Sequence, residues 1–417
     1  MTTKDGPELG SLRSICTVSD GLPGNRFVGI SGSNEGLSVT FPLGYRFPLS
    51  AEELRSDIRA LLSAIRRFGP DSKDLGSLTQ RGDSYTERTP VADYFVLIDD
   101  FLRTGRLFSE EFIQSAVGHS GAIDWRKTIL SVKPLVSNQG RFIYPSFSVR
   151  RRNNQLDSAL EQIHEYCLHR ALAAIGWLYP NVLLHPARLQ SVSSLHERLV
   201  VTALSQTFND RDRLLLVSML NIIRHSGSFN IERSWKLGTD RFEYVWEGMI
   251  DAAFGIPSRQ EFFPGARWSL FDDKYVETAK LQPDTVMDIG RDRGIIILDA
   301  KYYRYCSTSN PRDLPGTESI AKQIVYGDYA SNIIPKMRGW TGSTIFNAFV
   351  LPGDLVEMTS SDRSFYRLGA AYSDWSDHEK PWHTIHAVIA DTRFMLRSFS
   401  NVPAVARRQL ISSISEH

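Results

Sequence analysis

Residues 283–303, PDTVMDIGRDRGIIILDAKYY, consist of two apolar segments separated by a short polar turn. The segments DTVMDI and IIILDAKYY predict two β-strands, and the turn GRDRG allows them to pair in antiparallel fashion. Three successive isoleucines, residues 295–297, indicate that the second strand is buried on both faces. Because side chains alternate along a strand, we expect Asp299, Lys301 and Tyr303 to share one face.

A possible catalytic group lies where these two strands meet. Asp284 opens the first strand, and pairing about a turn at Arg291–Arg293 would bring it close to Asp299. Two carboxylates that converge repel each other unless a cation lies between them, and purely oxygen ligands favour Mg²⁺ or Mn²⁺. Such an ion can activate water and neutralise charge on a phosphodiester, with Lys301 orienting the water or stabilising the transition state. We therefore interpret Asp284, Asp299 and Lys301 as catalytic, the alternative being a structural ion pair.

Two predicted helices supply further candidates. In FEYVWEGMI, Glu243 and Glu247 are one turn apart, and Glu247 is the better candidate for an additional metal ligand. The alternative is that both glutamates are solvated surface residues. In SIAKQIVYGDYA, Gln323 and Tyr326 face one way and Lys322 flanks them. They could position Lys301 or hold a DNA phosphate, although Tyr326 could equally belong to the core.

Basic side chains are clustered most densely at Arg150, Arg151 and Arg152, near Arg141, and this cluster could contact phosphates. The alternative is a solvated turn. Over the whole chain, 48 Lys and Arg residues balance 47 Asp and Glu residues, so bulk charge predicts no polyanion partner. A DNA-binding face would have to come from local clustering.

The length of 417 residues predicts two domains, because one hydrophobic core seldom organises so long a chain. Ser50 and Glu53 form a capping box that begins a helix, and Gly69 ends it. Further helices are predicted at about 90–105, 156–177, 211–224, 242–253 and 319–333. With the apolar strands TIFNAFVLP and HTIHAVIADT, these elements predict an α/β fold with a mixed central sheet flanked by helices. We expect an N-terminal accessory domain at 1–140 and a second domain at 141–417.

Several protein classes are disfavoured. The cysteines Cys16, Cys167 and Cys306 form no CxxC pair, which argues against a disulfide framework or a zinc site and suits a reducing cytoplasm. The first residues lack the apolar core of a signal peptide, and there is no run of eighteen apolar residues, so we expect a cytoplasmic protein without a membrane span. No GxxxxGK[ST] sequence occurs, so the chain has no recognisable nucleotide-hydrolysing motor.

The string PDTVMDI…IIILDAKYY, followed by KQIVYG and FNAFVLP, resembles the LlaJI family of restriction endonucleases. These are relatives of the McrC nuclease subunits within the PD-(D/E)xK superfamily. GAIDWRKTI (121–129), TFNDRDRLLLVSM (207–219), FFPGARWSL (262–270) and IHAVIADTRFML (385–396) extend the resemblance over most of the chain.

The resemblance implies a Mg²⁺-dependent endonuclease that cuts double-stranded DNA in a restriction or anti-phage system and leaves 5′-phosphate ends. It also implies a separate AAA+ NTPase partner of the McrB type, with the N-terminal part as its docking region or as a DNA-reading module. Asp284, Asp299 and Lys301 match the catalytic triplet of the superfamily. Gln323 and Tyr326 resemble its downstream Gln–Tyr helix, with a spacing one residue shorter than usual.

Two other functions compete with this interpretation. One is a non-catalytic protein that uses the same fold to bind DNA or a partner, against which the intact triplet counts. The other is an autonomous repair or RecB-like nuclease. An AAA+ NTPase and DNA methyltransferases encoded beside the chain would favour the restriction system over both.

Overall fold

The computed structural model describes residues 6–33, 36–69, 90–108, 113–137, 139–152, 154–225, 235–271, 274–290, 293–337, 344–359, 363–377 and 379–415. Two compact units divide the chain. Met1–Gly82 and Glu232–His417 together form the first unit, and Asp83–Ile231 forms the second.

The first part of the first unit contains the elements α1 (Gly6–Ser14), β1 (Cys16–Val18), β2 (Val28–Ser33), β3 (Gly36–Phe41) and α2 (Ala51–Phe68). The predicted caps of α2 are confirmed. The Ser50 hydroxyl accepts a hydrogen bond of 3.2 Å from the Glu53 N–H, and the Gly69 N–H donates to the Ile65 carbonyl at 2.8 Å. The apolar face of α2 is buried, which explains why this helical pattern is so regular.

The second unit contains the elements α3 (Val91–Thr104), β4 (Ile113–Gly118), β5 (Ala122–Ile123), α4 (Trp125–Ser131), β6 (Leu135–Val136), β7 (Phe142–Ile143), β8 (Phe147–Arg152), α5 (Asn154–Ile175), α6 (Ser194–Gln206) and α7 (Asp210–His225). Helices α3, α5 and α7 pack on one another, and β8 pairs with both β4 and β5. Asp100 of α3 is buried and accepts two hydrogen bonds from Arg211 of α7, at 2.8 and 2.7 Å. The helices predicted at 156–177 and 211–224 are confirmed as α5 and α7, whereas α6 was not predicted.

The rest of the first unit contains the elements β9 (Trp235–Thr239), α8 (Phe242–Phe254), β10 (Arg267–Ser269), β11 (Tyr275–Glu277), β12 (Thr285–Asp288), β13 (Gly294–Ala300), α9 (Tyr305–Thr308), α10 (Thr317–Ile333), β14 (Thr344–Gly353), α11 (Leu355–Thr359), β15 (Phe365–Ala371), β16 (Ile385–Asp391), α12 (Thr392–Ser398) and α13 (Ala404–Ser415). The helices predicted at 242–253 and 319–333 correspond to α8 and α10. Both apolar strands predicted near the end are present as β14 and β16.

A five-stranded sheet in the order β12-β13-β14-β16-β15 lies at the centre of this unit. Strands β13, β14 and β16 are parallel, while β12 and β15 run antiparallel at the edges. Helices α8 and α10 pack on β13, and α12 and α13 pack on β16. The expected α/β class with a mixed sheet is therefore confirmed. At the start of β13, Gly294 has φ +127°, and a Cβ there would stand 1.8 Å from the Thr344 carbonyl oxygen, so this close pairing requires glycine.

The N-terminal elements share the first unit with the central sheet through two kinds of contact. Strand β2 pairs antiparallel with β9, which directly precedes α8. The Leu43 N–H donates to the Tyr302 hydroxyl at 2.7 Å, and the Leu43 carbonyl accepts from the Thr392 hydroxyl at 2.9 Å. Residues 6–69 therefore pack with the C-terminal part of the chain. The boundary expected at residue 140 lies inside the second unit, between β6 and β7.

Within the described ranges, no helix is both long enough and apolar enough to cross a membrane.

Candidate active site

The register of β12 and β13 brings the two predicted aspartates together. Thr285 lies opposite Leu298, so continuing the pairing by one residue places Asp284 opposite Asp299. The Ala300 N–H donates to the Asp284 carboxylate at 2.9 Å, which holds that side chain against the end of β13. The predicted hairpin and its register are observed, although residues 291 and 292 of the turn lie outside the described part of the chain.

Lys301 directly follows β13, and its ammonium contacts the Asp299 carboxylate. Its Nζ stands 2.9 Å from Asp299 Oδ1. The Lys301 N–H donates to the Val350 carbonyl at 3.0 Å, and that carbonyl also accepts from the indole of Trp246 at 3.1 Å. One backbone atom of β14 therefore fixes both the lysine backbone and helix α8.

Asp284 and Asp299 are two carboxyl groups held close together in a buried position. Burial is the largest influence on Asp284, followed by the hydrogen bond and charge of Asp299 and the charge of Glu247, and together these raise the pKa of Asp284 to about 9. Asp299 is 7% exposed. Near neutral pH, one proton or one cation is therefore needed for the two groups to share this position.

The Lys301 side chain is protonated near neutral pH. Burial disfavours its ammonium form, but the charge and hydrogen bond of Asp299, together with the charge of Asp284, outweigh burial and raise the pKa of Lys301. The side chain is therefore a cationic hydrogen-bond donor and not a base at neutral pH.

The helix glutamates lie near this group without completing a metal cage. Burial raises the pKa of Glu247, and the charges of Asp299 and Glu243 act in the same direction while that of Lys301 opposes them. Glu243 is 45% exposed and stands 3.5 Å from the Arg241 guanidinium. Among the described residues, no three carboxylate, imidazole or thiol side chains form a ready metal cluster. Glu247 is thus electrostatically coupled to the pair but does not form a three-residue ligand set with it.

Helix α10 supports the site from within the core. Tyr326 is 6% exposed in an apolar cluster, and its hydroxyl donates at 3.1 Å to the Gln282 carbonyl, two residues before Asp284. Gln323 is fully buried, and its side-chain amide has no hydrogen-bond partner among the described residues. Tyr326 is therefore both a core residue and a brace for the segment that enters the site.

The basic candidates lie outside this group of contacts. Lys322 is exposed and pairs with Glu318 at 2.6 Å, one turn away on α10. Arg150 is exposed on β8 in the second unit, 3.5 Å from Asp124. The side chains of Arg151 and Arg152 lie outside the described part of the chain. Their predicted role in DNA binding stays a prediction.

Sequence reasoning missed a third carboxylate on α8, Asp251, and its partner. Asp251 follows Glu247 by one turn and pairs with Arg259 at 2.7 Å. The same Arg259 nitrogen donates to the backbone carbonyl of Asp284. Arg259 therefore fixes the backbone of Asp284 relative to α8. The four-residue spacing of Glu247 and Asp251 was the available signal, but nothing in the sequence around Arg259 indicates its partner.

Comparison with known proteins gives three findings. A family model described as LlaJI restriction endonuclease matches residues 27–373. The Type II restriction enzyme BsuMI component YdjA of Bacillus subtilis strain 168 is 23% identical over 284 residues. That match covers 65% of this chain and 58% of the relative, so it spans little more than half of the relative's length.

Among solved structures, a weak similarity (TM-score 0.37, 12% identity) links 93% of this chain to 83% of a chain in a Thermococcus gammatolerans assembly of McrB AAA+ hexamers with bound McrC. The family model, in contrast, extends over most of the chain and includes the segment that carries Asp284, Asp299 and Lys301. The chain belongs to the LlaJI restriction endonuclease family.

Proposed function

We propose that this protein is the nuclease subunit of a restriction system and hydrolyses DNA phosphodiester bonds on a PD-(D/E)xK core. The observation that carries the proposal is the meeting of Asp284, Asp299 and Lys301 at the paired ends of β12 and β13, with Lys301 Nζ 2.9 Å from Asp299. Membership of a restriction endonuclease family supports it.

The acid pair fits a hard divalent cation. Magnesium in phosphate-processing sites is commonly held by one or two carboxylates, with water and substrate phosphate oxygens as the other ligands. Asp284 and Asp299 supply those two carboxylates, and the raised pKa of Asp284 indicates that the pair takes up positive charge readily. Mg²⁺, or Mn²⁺ in its place, would supply charge neutralisation and an activated water when bound. Glu247, whose charge is coupled to Asp299 and Lys301, would be the further ligand from α8.

The chain's own residues contact the phosphate, orient Lys301 and position Asp284. Lys301 is an ammonium donor next to the acid pair, suited to hold a non-bridging oxygen of the scissile phosphate as negative charge develops on it. Asp299 orients that ammonium through the 2.9 Å contact. Arg259 and Tyr326 hold the backbone on either side of Pro283, so the position of Asp284 is set before DNA arrives.

The test is DNA cleavage by Asp284→Asn, Asp299→Asn and Lys301→Gln in Mg²⁺. We expect each variant to lose at least about 100-fold in rate, because each removes a charge that acts on the transition state. Asp374→Asn and Lys336→Gln, at exposed positions of the same unit, are the matched controls. Circular dichroism checks the fold, and EDTA should abolish cutting by the unaltered protein. Near-normal cutting by any triplet variant removes that residue from the mechanism.

We further propose that an AAA+ NTPase of the McrB type is the partner. The resemblance to McrC-like subunits supports this, as does the description of the Bacillus relative as a component of a restriction enzyme. The second unit also exposes large apolar side chains within residues 113–143, the kind of surface that partner proteins cover. They are Val117, Ile123, Trp125, Ile129, Leu130, Leu135, Val136, Phe142 and Ile143.

Point substitutions test this docking better than removal of residues 1–140, because that removal would take β1–β3 and α2 from the first unit. Trp125→Ser and Phe142→Ser should each lower binding to the AAA+ protein and the cleavage that depends on its nucleotide. Leu183→Ser, at a 90% exposed position of the same unit, is the control. Strong cutting by the isolated chain in Mg²⁺ would instead favour an autonomous restriction nuclease.

A further inference from the structure

A cavity of about 390 Å³ opens in the first unit, next to the candidate active site. Tyr302, Tyr303 and Arg304 line it, and they directly follow Lys301 in the chain. Glu243 also lines it, one turn of α8 before Glu247. The cavity and the site therefore share two segments of the chain, the end of β13 and the start of α8.

Aromatic rings form part of the cavity wall. Phe242 and Tyr302 line the space together with Tyr303, and their ring centroids lie 5.3 Å apart with planes tilted by 50°. Phe242 is only 1% exposed. Tyr303 is 38% exposed, so its ring is open to a ligand. Aromatic faces of this kind stack with nucleobases of any sequence.

A second part of the wall is cationic. Arg304 Nε is buried and has no hydrogen-bond partner among the described residues, which is unfavourable for a guanidinium donor. Gly21, with φ +69°, brings its loop so close that a Cβ there would stand 3.3 Å from Arg304 Cγ, so the arginine stem is held in place. Exposed Arg26 lines the same cavity. Guanidinium groups match phosphate oxygens in both charge and geometry.

Three carboxylates also line the cavity, and that of Asp313 already accepts from the Thr308 hydroxyl at 2.6 Å. Asp240 and Glu243 offer only hydrogen-bond acceptors when ionised. They can accept from the exocyclic amino groups of cytosine, adenine and guanine, whereas thymine offers only its ring N3–H. The cavity thus combines an exposed aromatic ring, guanidinium groups suited to phosphate and carboxylates suited to base amino groups.

We propose that this cavity binds one nucleotide of the cut strand, next to the scissile phosphate, with its base out of the helical stack and its phosphate on Arg304. The proposal rests on the proposed function for its DNA substrate, while nucleotide binding itself needs no cleavage. A cavity of this size falls in the range of small-molecule sites, and enzymes that read an unstacked base enclose it in such a pocket.

The test is calorimetric titration of the full chain, in EDTA, with dCMP, dAMP, dTMP and inorganic phosphate. We expect dCMP and dAMP to bind, dTMP to bind about ten-fold more weakly, and inorganic phosphate to compete with dCMP. Arg304→Gln should weaken dCMP binding by about ten-fold or more. Tyr303→Ala, an exposed change that spares the core, should weaken it as well. Arg408→Gln, an exposed arginine on α13 outside the lining, should leave it unchanged.

The outcomes separate this inference from the proposed function. Absence of dCMP binding at millimolar concentration, or equal binding by Arg304→Gln and the unaltered chain, would overturn the nucleotide site even if the protein cuts DNA. Binding that depends on Arg304, found in a chain that never cuts DNA in Mg²⁺, would support the site and overturn the nuclease. Equal binding of dTMP and dCMP would overturn the role given to Asp240 and Glu243.

Discussion

Replacing Asp57 by asparagine tests whether residues 6–69 stabilise the unit that carries the candidate site. Asp57 of α2 is fully buried. Its Oδ2 accepts hydrogen bonds from Arg393 Nε of α12 at 2.6 Å and from the Tyr45 hydroxyl at 2.8 Å. The change would leave the guanidinium of Arg393, which is 16% exposed, without its main counter-charge.

Breaking a buried ion pair by removing one partner costs about 3–5 kcal/mol. Glu53 remains 3.2 Å from Arg393, and asparagine keeps one oxygen acceptor. We therefore expect the lower end of that range, about 3 kcal/mol, which increases the opened fraction of the first unit on the order of 100-fold.

Hydrogen exchange read by mass spectrometry resolves the two units separately, so peptides from β13 and α7 report on each. Exchange in β13 should accelerate on the order of 100-fold, whereas exchange in α7 should not change. Glu53→Gln is the control, since its side chain is 46% exposed and such pairs contribute under about 1 kcal/mol. Unaltered exchange in β13 of Asp57→Asn would refute the reasoning.

Three further predictions concern the metal, pH and the strand pairing. Glu247→Gln should raise the Mg²⁺ concentration needed for cutting, because an amide is a poorer ligand for a hard cation; an unchanged metal titration would remove Glu247 from the site. His164 is buried and accepts the Phe108 N–H at 2.7 Å, and burial lowers its pKa from 6.5 to about 4. Between these pH values the unfolded chain binds a proton that the folded chain excludes. The free energy of unfolding of the second unit should therefore fall by up to about 3 kcal/mol as the pH falls through that window. Urea unfolding at pH 7 and 4.5 checks this, and an equal loss in His164→Gln would contradict it. Gly294→Ala should lower the free energy of unfolding by at least about 2 kcal/mol, because its Cβ would clash with the Thr344 carbonyl, and a lower melting temperature would show this. Gly369→Ala is the control, since a Cβ there meets nothing within 4 Å and should leave stability nearly unchanged.

The hairpin of the site could be predicted because its signals are local. An apolar run, a polar turn and strand alternation fix both the existence of β12 and β13 and the register that pairs Asp284 with Asp299. The ends of α2 could be predicted for the same reason, since capping depends on residues three or four apart.

The sequence did not predict which parts of the chain form the first unit, because that depends on contacts between distant residues. The pairing of Val28 with Thr239 joins strands that no local pattern relates. Arg259 shows the same limit within the site. It donates to the backbone carbonyl of Asp284. Because every residue has such a carbonyl, the sequence does not indicate which one Arg259 binds. The cavity beside the site was likewise invisible, because Gly21 and Arg304 meet only in the folded chain.

The order in which the chain is synthesised gives the contact between Asp57 and Arg393 a further consequence. These residues are 336 positions apart. At a translation rate of roughly 5–20 residues per second, α2 leaves the ribosome about 17–67 seconds before its partner helix exists. During that interval the apolar face of α2 has nothing to pack against from α12, while the whole of residues 83–231 is synthesised. We therefore expect newly made chains to be prone to aggregation until residue 393 has been added.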